Sequence, residues 1–239
     1  MMEPPLTKKW ATSPTCELLD RAADLLARKV YREAHALCME ALQANPAEPR
    51  AYFLLGVLTA DHANHAKAIE LFDRALKLGP PRADVLAQKA RSEIALLKRE
   101  AAIESANAAA ALAPEDAHTL DTLGVVYSRA GLHERSLDFY RRATDAAPDV
   151  AAYHYNHGAA LKFAGQMDAA REAYRHCLRL DPSDTRPLAA IVQITRQTET
   201  DNEIAALEAL FPSIAQDADD SLRIGHALAK AHEDLNHPA

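Results

Sequence analysis

Five prolines, Pro46, Pro80, Pro114, Pro148 and Pro182, follow one another at a constant interval of 34 residues. Proline lacks a backbone N–H and clashes with the turn before it, so each one marks a place where a helix cannot continue. A chain punctuated this evenly folds as equal units rather than as one irregular core. The units run 15–48, 49–82, 83–116, 117–150 and 151–184.

Laid over one another, the units carry side chains of matched size at matched places. Ala22, Gly56, Ala90, Gly124 and Gly158 align in the first half, and Ala34, Ala68, Ala102, Ser136 and Ala170 in the second. A further row is Ala41, Ala75, Ala109, Ala143 and Cys177. Between these lie the large residues Leu18, Tyr52, Leu86, Leu120 and His154, and later Cys38, Phe72, Ala106, Tyr140 and Tyr174. Small residues let two helix backbones approach, and large ones fill the gaps between neighbouring hairpins. Apolar residues three and four apart give each half one buried stripe, which predicts two helices per unit. Ala130-Gly131 and Ala164-Gly165 read as the joints between helices, with glycine supplying a left-handed residue at a helix end. One hairpin cannot bury its own apolar faces, so the units must stack. The expected fold is all-α: a right-handed α-solenoid of five hairpins, preceded by a disordered tail over 1–14 and followed by capping helices.

This pattern resembles the tetratricopeptide repeat, whose signature runs large–Leu–Gly–Tyr, then Ala, aromatic, Ala, Pro. The fourth unit matches it through Leu123-Gly124, Tyr127, Tyr140, Ala143 and Pro148. The second matches through Tyr52, Leu55-Gly56, Ala68, Phe72, Ala75 and Pro80. The third departs most, with Glu93 at the tyrosine place and Ala106 at the aromatic one, so its packing is either thin or completed by a neighbour. The resemblance implies a non-catalytic protein-interaction scaffold that holds a peptide or protein partner in a concave groove lined by the first helices. On that basis Arg50, Phe53, Asp84, Gln88, Arg91, Asp121, Thr122, Tyr155, Asn156, Lys162 and Arg186 are expected to face the groove. Gln88, Thr122 and Asn156 recur at the repeat interval and would set a polar ladder able to bond a peptide backbone. The carboxylate clamp known in the family needs lysine and asparagine on one unit, asparagine on the next, then lysine and arginine. No three successive units supply it: Asn156 and Arg186 fit two places, and Asp121 sits where a lysine belongs.

Beyond Pro182 the register fails. Ile204 and Glu208 fall where a small and an aromatic residue should sit, and no proline closes the unit. Residues 185–197 read as one more helix, NEIAALEALF as a short helix capped by Asp201 or Asn202, and SLRIGHALAKAHEDL as a last helix from about Ser221. That last helix reads as an unfinished hairpin exposing Leu222, Ile224, Leu228 and Leu235, a surface for self-association or for a partner. EIAALEALF followed by ALAKAHEDL is similar to the segment that joins repeats to the catalytic domain in bacterial tetratricopeptide sulfotransferases. This implies a second reading: the substrate-recognition region of such an enzyme. Catalysis would need a strand leading to a phosphate-cradling loop at a helix N-terminus, and the sequence offers none.

Composition bounds the remaining classes. A formal net charge of −7 argues against nucleic acid, which demands a basic footprint. No apolar run approaches the ~20 residues that span a bilayer. Three scattered cysteines and an N-terminus without an apolar core point to a reducing, cytoplasmic setting. Cys38 and Cys177 fall at core places and read as buried thiols. His154 and His157 share a helix face but occupy packing places, with no acid or cysteine to complete a metal site. Asp61, His62 and His65 cluster at a joint and read as turn and capping residues. No metal, cofactor or catalytic residue is expected.

Overall fold

The computed structural model describes residues 10, 15–214 and 217–236. Among them are helices and turns and no strand, an all-α fold of helical hairpins. Two compact bodies divide the chain, Met1–Ala146 and Ala147–Ala239.

In the first body four hairpins follow the sequence units: α1 (Cys16–Ala27) with α2 (Tyr31–Ala44), α3 (Pro49–Asp61) with α4 (His65–Leu78), α5 (Ala83–Ala95) with α6 (Arg99–Ala111), and α7 (Ala117–Arg129) with α8 (His133–Ala146). The first helices α1, α3, α5 and α7 lie side by side. Helix starts are fixed locally. The side chains of Glu48, Asn64 and Asp116 accept backbone N–H groups of the first turns of α3, α4 and α7, satisfying donors that have no partner within the helix.

The joint within each hairpin is one repeated device. Residues Lys29, Ala63, Leu97, Gly131 and Gly165 all have left-handed φ, between 58° and 77°. In each case the next N–H reaches back five residues to a helix carbonyl: Val30 to Leu25 at 2.8 Å, Lys98 to Glu93 at 2.9 Å, Leu132 to Tyr127 at 2.8 Å. This is the Schellman closure of a helix end. Glycine was expected at two joints; the structure has the same geometry at all five, three of them built on residues with a side chain.

Packing between the two helices of a hairpin rests on an exchange of volume. A Cβ on Gly56 would sit 2.5 Å from a ring carbon of Phe72, one on Gly124 2.6 Å from Tyr140, and one on Gly158 2.8 Å from Tyr174. Where the first place holds Ala22 or Ala90, the opposite place holds Cys38 or Ala106, and all four are fully buried. The third unit therefore has two buried alanines at this crossing. Its Glu93, at the tyrosine place, is buried; Lys89 lies 3.8 Å from one carboxylate oxygen, and the other oxygen has no hydrogen-bond partner.

The second body holds the fifth hairpin, α9 (Ala151–Phe163) with α10 (Met167–Leu180), then α11 (Thr185–Ile194), α12 (Ile204–Leu210), a short 3-10 turn (Phe211–Ile214) and α13 (Ala218–Asn236). α13 starts three residues before the expected Ser221, where Asp217 Oδ1 accepts the Asp220 N–H at 2.9 Å. The expected exposed stripe is corrected here. Ile224 is fully buried with Leu188, Val192, Leu207, Ala227 and Ala231, Leu228 packs against the same cluster, and only Leu222 stands well exposed, at 60%. The physical reason is a detour. Residues 195–214 carry α12 and its flanks, and α13 packs back onto α11. Thr185 Oγ1 donates to Asp220 Oδ1 at 2.7 Å near one end, and Lys230 Nζ donates to the Thr195 carbonyl at 3.2 Å near the other.

Two substitutions test the packing. Gly124→Ala gains up to about 1 kcal/mol of helix propensity, but overpacking against Tyr140 costs about 1–3 kcal/mol, so urea unfolding should show a net loss of stability. Leu97→Gly relieves a left-handed residue whose side chain is 89% exposed. The gain of about 1 kcal/mol should raise the melting temperature by about 2–4 °C.

Candidate groove on the first helices

Within the first body the candidate surface is built on α5 and α7. Asp84, Gln88 and Arg91 lie at i, i+4 and i+7 on one face of α5; His118, Asp121 and Thr122 lie at i, i+3 and i+4 on one face of α7. The two faces are held in register by a side-chain hydrogen bond, Gln88 Nε2 to His118 Nε2, 3.0 Å. An amide N–H can only donate, so His118 accepts through Nε2 and is neutral. Burial, followed by the nearby Arg91 charge, lowers the His118 pKa, in agreement with that role.

The eleven expected groove residues divide by exposure. Four are corrected because their side chains are buried. Arg50 is 3% exposed and ion-paired to Asp20 at 2.6 Å. Phe53 is fully buried beside Phe72, centroids 6.1 Å apart. Gln88 and Thr122 are 5% and 3% exposed, so the polar ladder is interior on α5 and α7, where Gln88 ties α5 to α7 through His118. Asp84 and Asp121 are half-buried, and Arg91 is exposed. Asp84 grips Arg82 through two bonds, Nε to Oδ1 at 3.0 Å and Nη2 to Oδ2 at 2.6 Å. In the second body Tyr155, Asn156 and Lys162 are half-buried and Arg186 is exposed. The Arg186 guanidinium lies 4.7 Å over the Tyr155 ring and is paired to Asp184 at 2.7 Å.

Three residues of this surface were not anticipated. Trp10 belongs to the segment expected to be a disordered tail; the rest of 1–14 lies outside the described residues, but Trp10 packs on Phe53. Arg82 and His118 escaped notice because partner choice, not residue spacing, gives them their place.

The other candidates resolve simply. Burial pushes the Cys38 thiol up to about 12 and Cys177 to about 11, which keeps both protonated near neutrality and poor as nucleophiles. His62 Nδ1 bonds the Leu58 carbonyl at 2.8 Å, and Asn64 rather than Asp61 or His65 caps α4. His154 bonds the Pro148 carbonyl at 2.7 Å and stacks on His176 at 4.0 Å. Among the described residues no three His, Cys, Asp or Glu side chains group as a metal site, and no helix is long and apolar enough to cross a membrane.

Tetratricopeptide repeat family models match residues 19–83, 88–151 and 151–184. The chain belongs to the tetratricopeptide repeat family. Two curated relatives carry the same repeats: BBSome complex member BBS4 of Bos taurus, 27% identical over 71% of this chain, and that of Mus musculus, 28% identical over 69%. The chain spans about a third of their length, 31% and 32% respectively. Among solved tetratricopeptide structures, the Cut9–Hcn1 hetero-tetramer of the APC/C superposes with a TM-score of 0.72 at 19% identity, covering 90% of this chain and 43% of that one. Pseudomonas aeruginosa pilF superposes at 0.69 and 16%, over 90% and 97%. YrrB, described as having an unusual peptide-binding site, does so at 0.51 and 20%, over 72% and 89%.

The paired histidines give a pH prediction. His176 is lowered by burial and then by the neighbouring His154, and His118 is lowered as above. A base depressed in the fold takes up protons more readily when unfolded, so stability falls as pH drops through the ordinary histidine value of about 6.5. Melting temperature should decline from pH 7.5 to 5, and His176→Gln should flatten part of that slope. An unchanged slope would rule out His176 as a contributor.

Proposed function

We propose that this chain is a non-catalytic interaction scaffold that holds a peptide or loop of a protein partner on its first-helix surface. The Gln88–His118 bond carries the reading. It fixes α5 against α7 so that Asp84, Arg91 and Asp121, none of them fully buried, belong to one continuous polar surface. Alternating acid and base along such a surface suits recognition of an extended backbone and its side chains. Membership of a family that binds peptides or proteins supports the assignment, as does the peptide-binding site described for YrrB. The sulfotransferase-linker reading of the segment after 201 has less support. Its apolar residues Leu207, Ile224 and Ala231 are accounted for by packing onto α11 within the chain.

Affinity capture with the whole chain, compared with Arg91→Ala and Asp121→Ala, tests the assignment. Arg91 is exposed, so its replacement leaves the fold intact and should weaken a true partner by about tenfold, the loss of a hot-spot contact. If both variants retain the same partner at wild-type affinity, the groove assignment is wrong.

A further inference from the structure

Trp10 is the one tryptophan of the chain, and it lies on the first-helix surface of α3. Its ring centroid is 5.6 Å from that of Phe53, with the planes inclined by 33°. The Arg82 guanidinium carbon is 3.9 Å from the centroid of the same ring, close enough for a stacked cation–π contact. Arg82 is held flat by its two bonds to Asp84, both side chains being less than one-fifth exposed. A shallow hollow of about 460 Å³, lined by Pro81, Leu112, Pro114 and Asp116, continues from the Arg82–Asp84 pair. Asp84 is one of the residues expected to face a partner, and Phe53, another, is buried with the Trp10 ring packed on it.

The fit of Trp10 is incomplete in one respect. Its indole Nε1 is shielded from solvent and has no hydrogen-bond partner. A buried donor left unmade counts against the occupant that brings it. A phenylalanine ring would make the same contacts with Phe53 and Arg82 without that donor.

We propose that Phe53, Arg82 and Asp84 form a subsite for an aromatic side chain of a bound peptide, and that the chain's own Trp10 fills it until a peptide bearing phenylalanine displaces it. The inference rests on the reading of this surface as a peptide groove and adds what the groove selects. Trp10 competes as a tethered ligand, so its effective concentration is far above that of a free peptide. Removing it should therefore open the subsite.

The test uses the full chain and three fluorescein-labelled peptides of residues 1–14: the native sequence, W10F and W10A. Fluorescence anisotropy should show the W10F peptide binding the Trp10→Ala chain at least tenfold more tightly than the wild-type chain, with the W10A peptide binding neither. Arg82→Ala added to Trp10→Ala should weaken W10F binding severalfold, with circular dichroism confirming that the helices remain. In the wild-type chain, excitation at 295 nm reports Trp10 alone, and acrylamide should quench it more slowly than in the urea-unfolded chain. Equal W10F binding to wild-type and Trp10→Ala chains, binding of W10A as tight as W10F, or quenching as fast as in the unfolded chain would each overturn the inference. Those failures leave Arg91-dependent partner capture untouched, so the subsite and the groove fail separately.

Discussion

Everything in the repeats depends on a close approach of two backbones, made possible by removing a side chain from one helix and filling the space from the other. Phe72, Tyr140 and Tyr174 lie over Gly56, Gly124 and Gly158 at distances no Cβ would tolerate. Where the first helix keeps an alanine, the second gives up its ring: Ala22 faces Cys38, and Ala90 goes with Ala106. The sum is not conserved, because one added methyl does not replace a ring; what every crossing keeps is a small residue on the first helix and full burial of both partners, or nearly so. The first helices α1, α3, α5 and α7 lie side by side on these hairpins, and with them any surface they share.

The 34-residue prolines and the size pattern made the fold legible, because both arise from contacts within one unit. The pairing of Ala90 with Ala106 was not read from the sequence, which left the third unit either thinly packed or completed by a neighbour. The surface was harder to read. Arg50 and Phe53 hold positions that usually face a groove, yet Asp20 draws one inward and Trp10 covers the other. Neither partner belongs to the unit that contains the residue, so no periodicity predicts it. Gln88 and Thr122 recur at the repeat interval, but recurrence says that a role is repeated and not whether that role is binding or packing. The end of the array hid a similar long-range choice. α13 was aligned with a first helix by spacing, while the apolar cluster around Ile224 brings it back onto α11 across the inserted residues 195–214.

Polar groups set apart from this packing divide into two kinds. Gln88 and His118 satisfy one another and link α5 to α7, while Arg82 and Asp84 pair at the start of α5. Glu93 Oε2 and Trp10 Nε1 are shielded and lack partners, and each marks a place where the chain departs from what packing alone would choose. In the third unit the departure is structural, a carboxylate in place of a tyrosine. At Trp10 it coincides with the surface assigned to a partner.

The hairpin joints carry a consequence for how such a chain changes over time. Lys29, Ala63, Leu97 and Gly131 are held by the same backbone bond and are exposed. The bond sets the geometry, and three of the five joints carry a side chain at a cost of about 1 kcal/mol relative to glycine. Each hairpin thus carries one exposed position where charge, bulk or a covalent label is exchangeable without disturbing the interior. In the first body these positions form a ruler with one mark per repeat, along which surface chemistry can drift while the fold stays fixed.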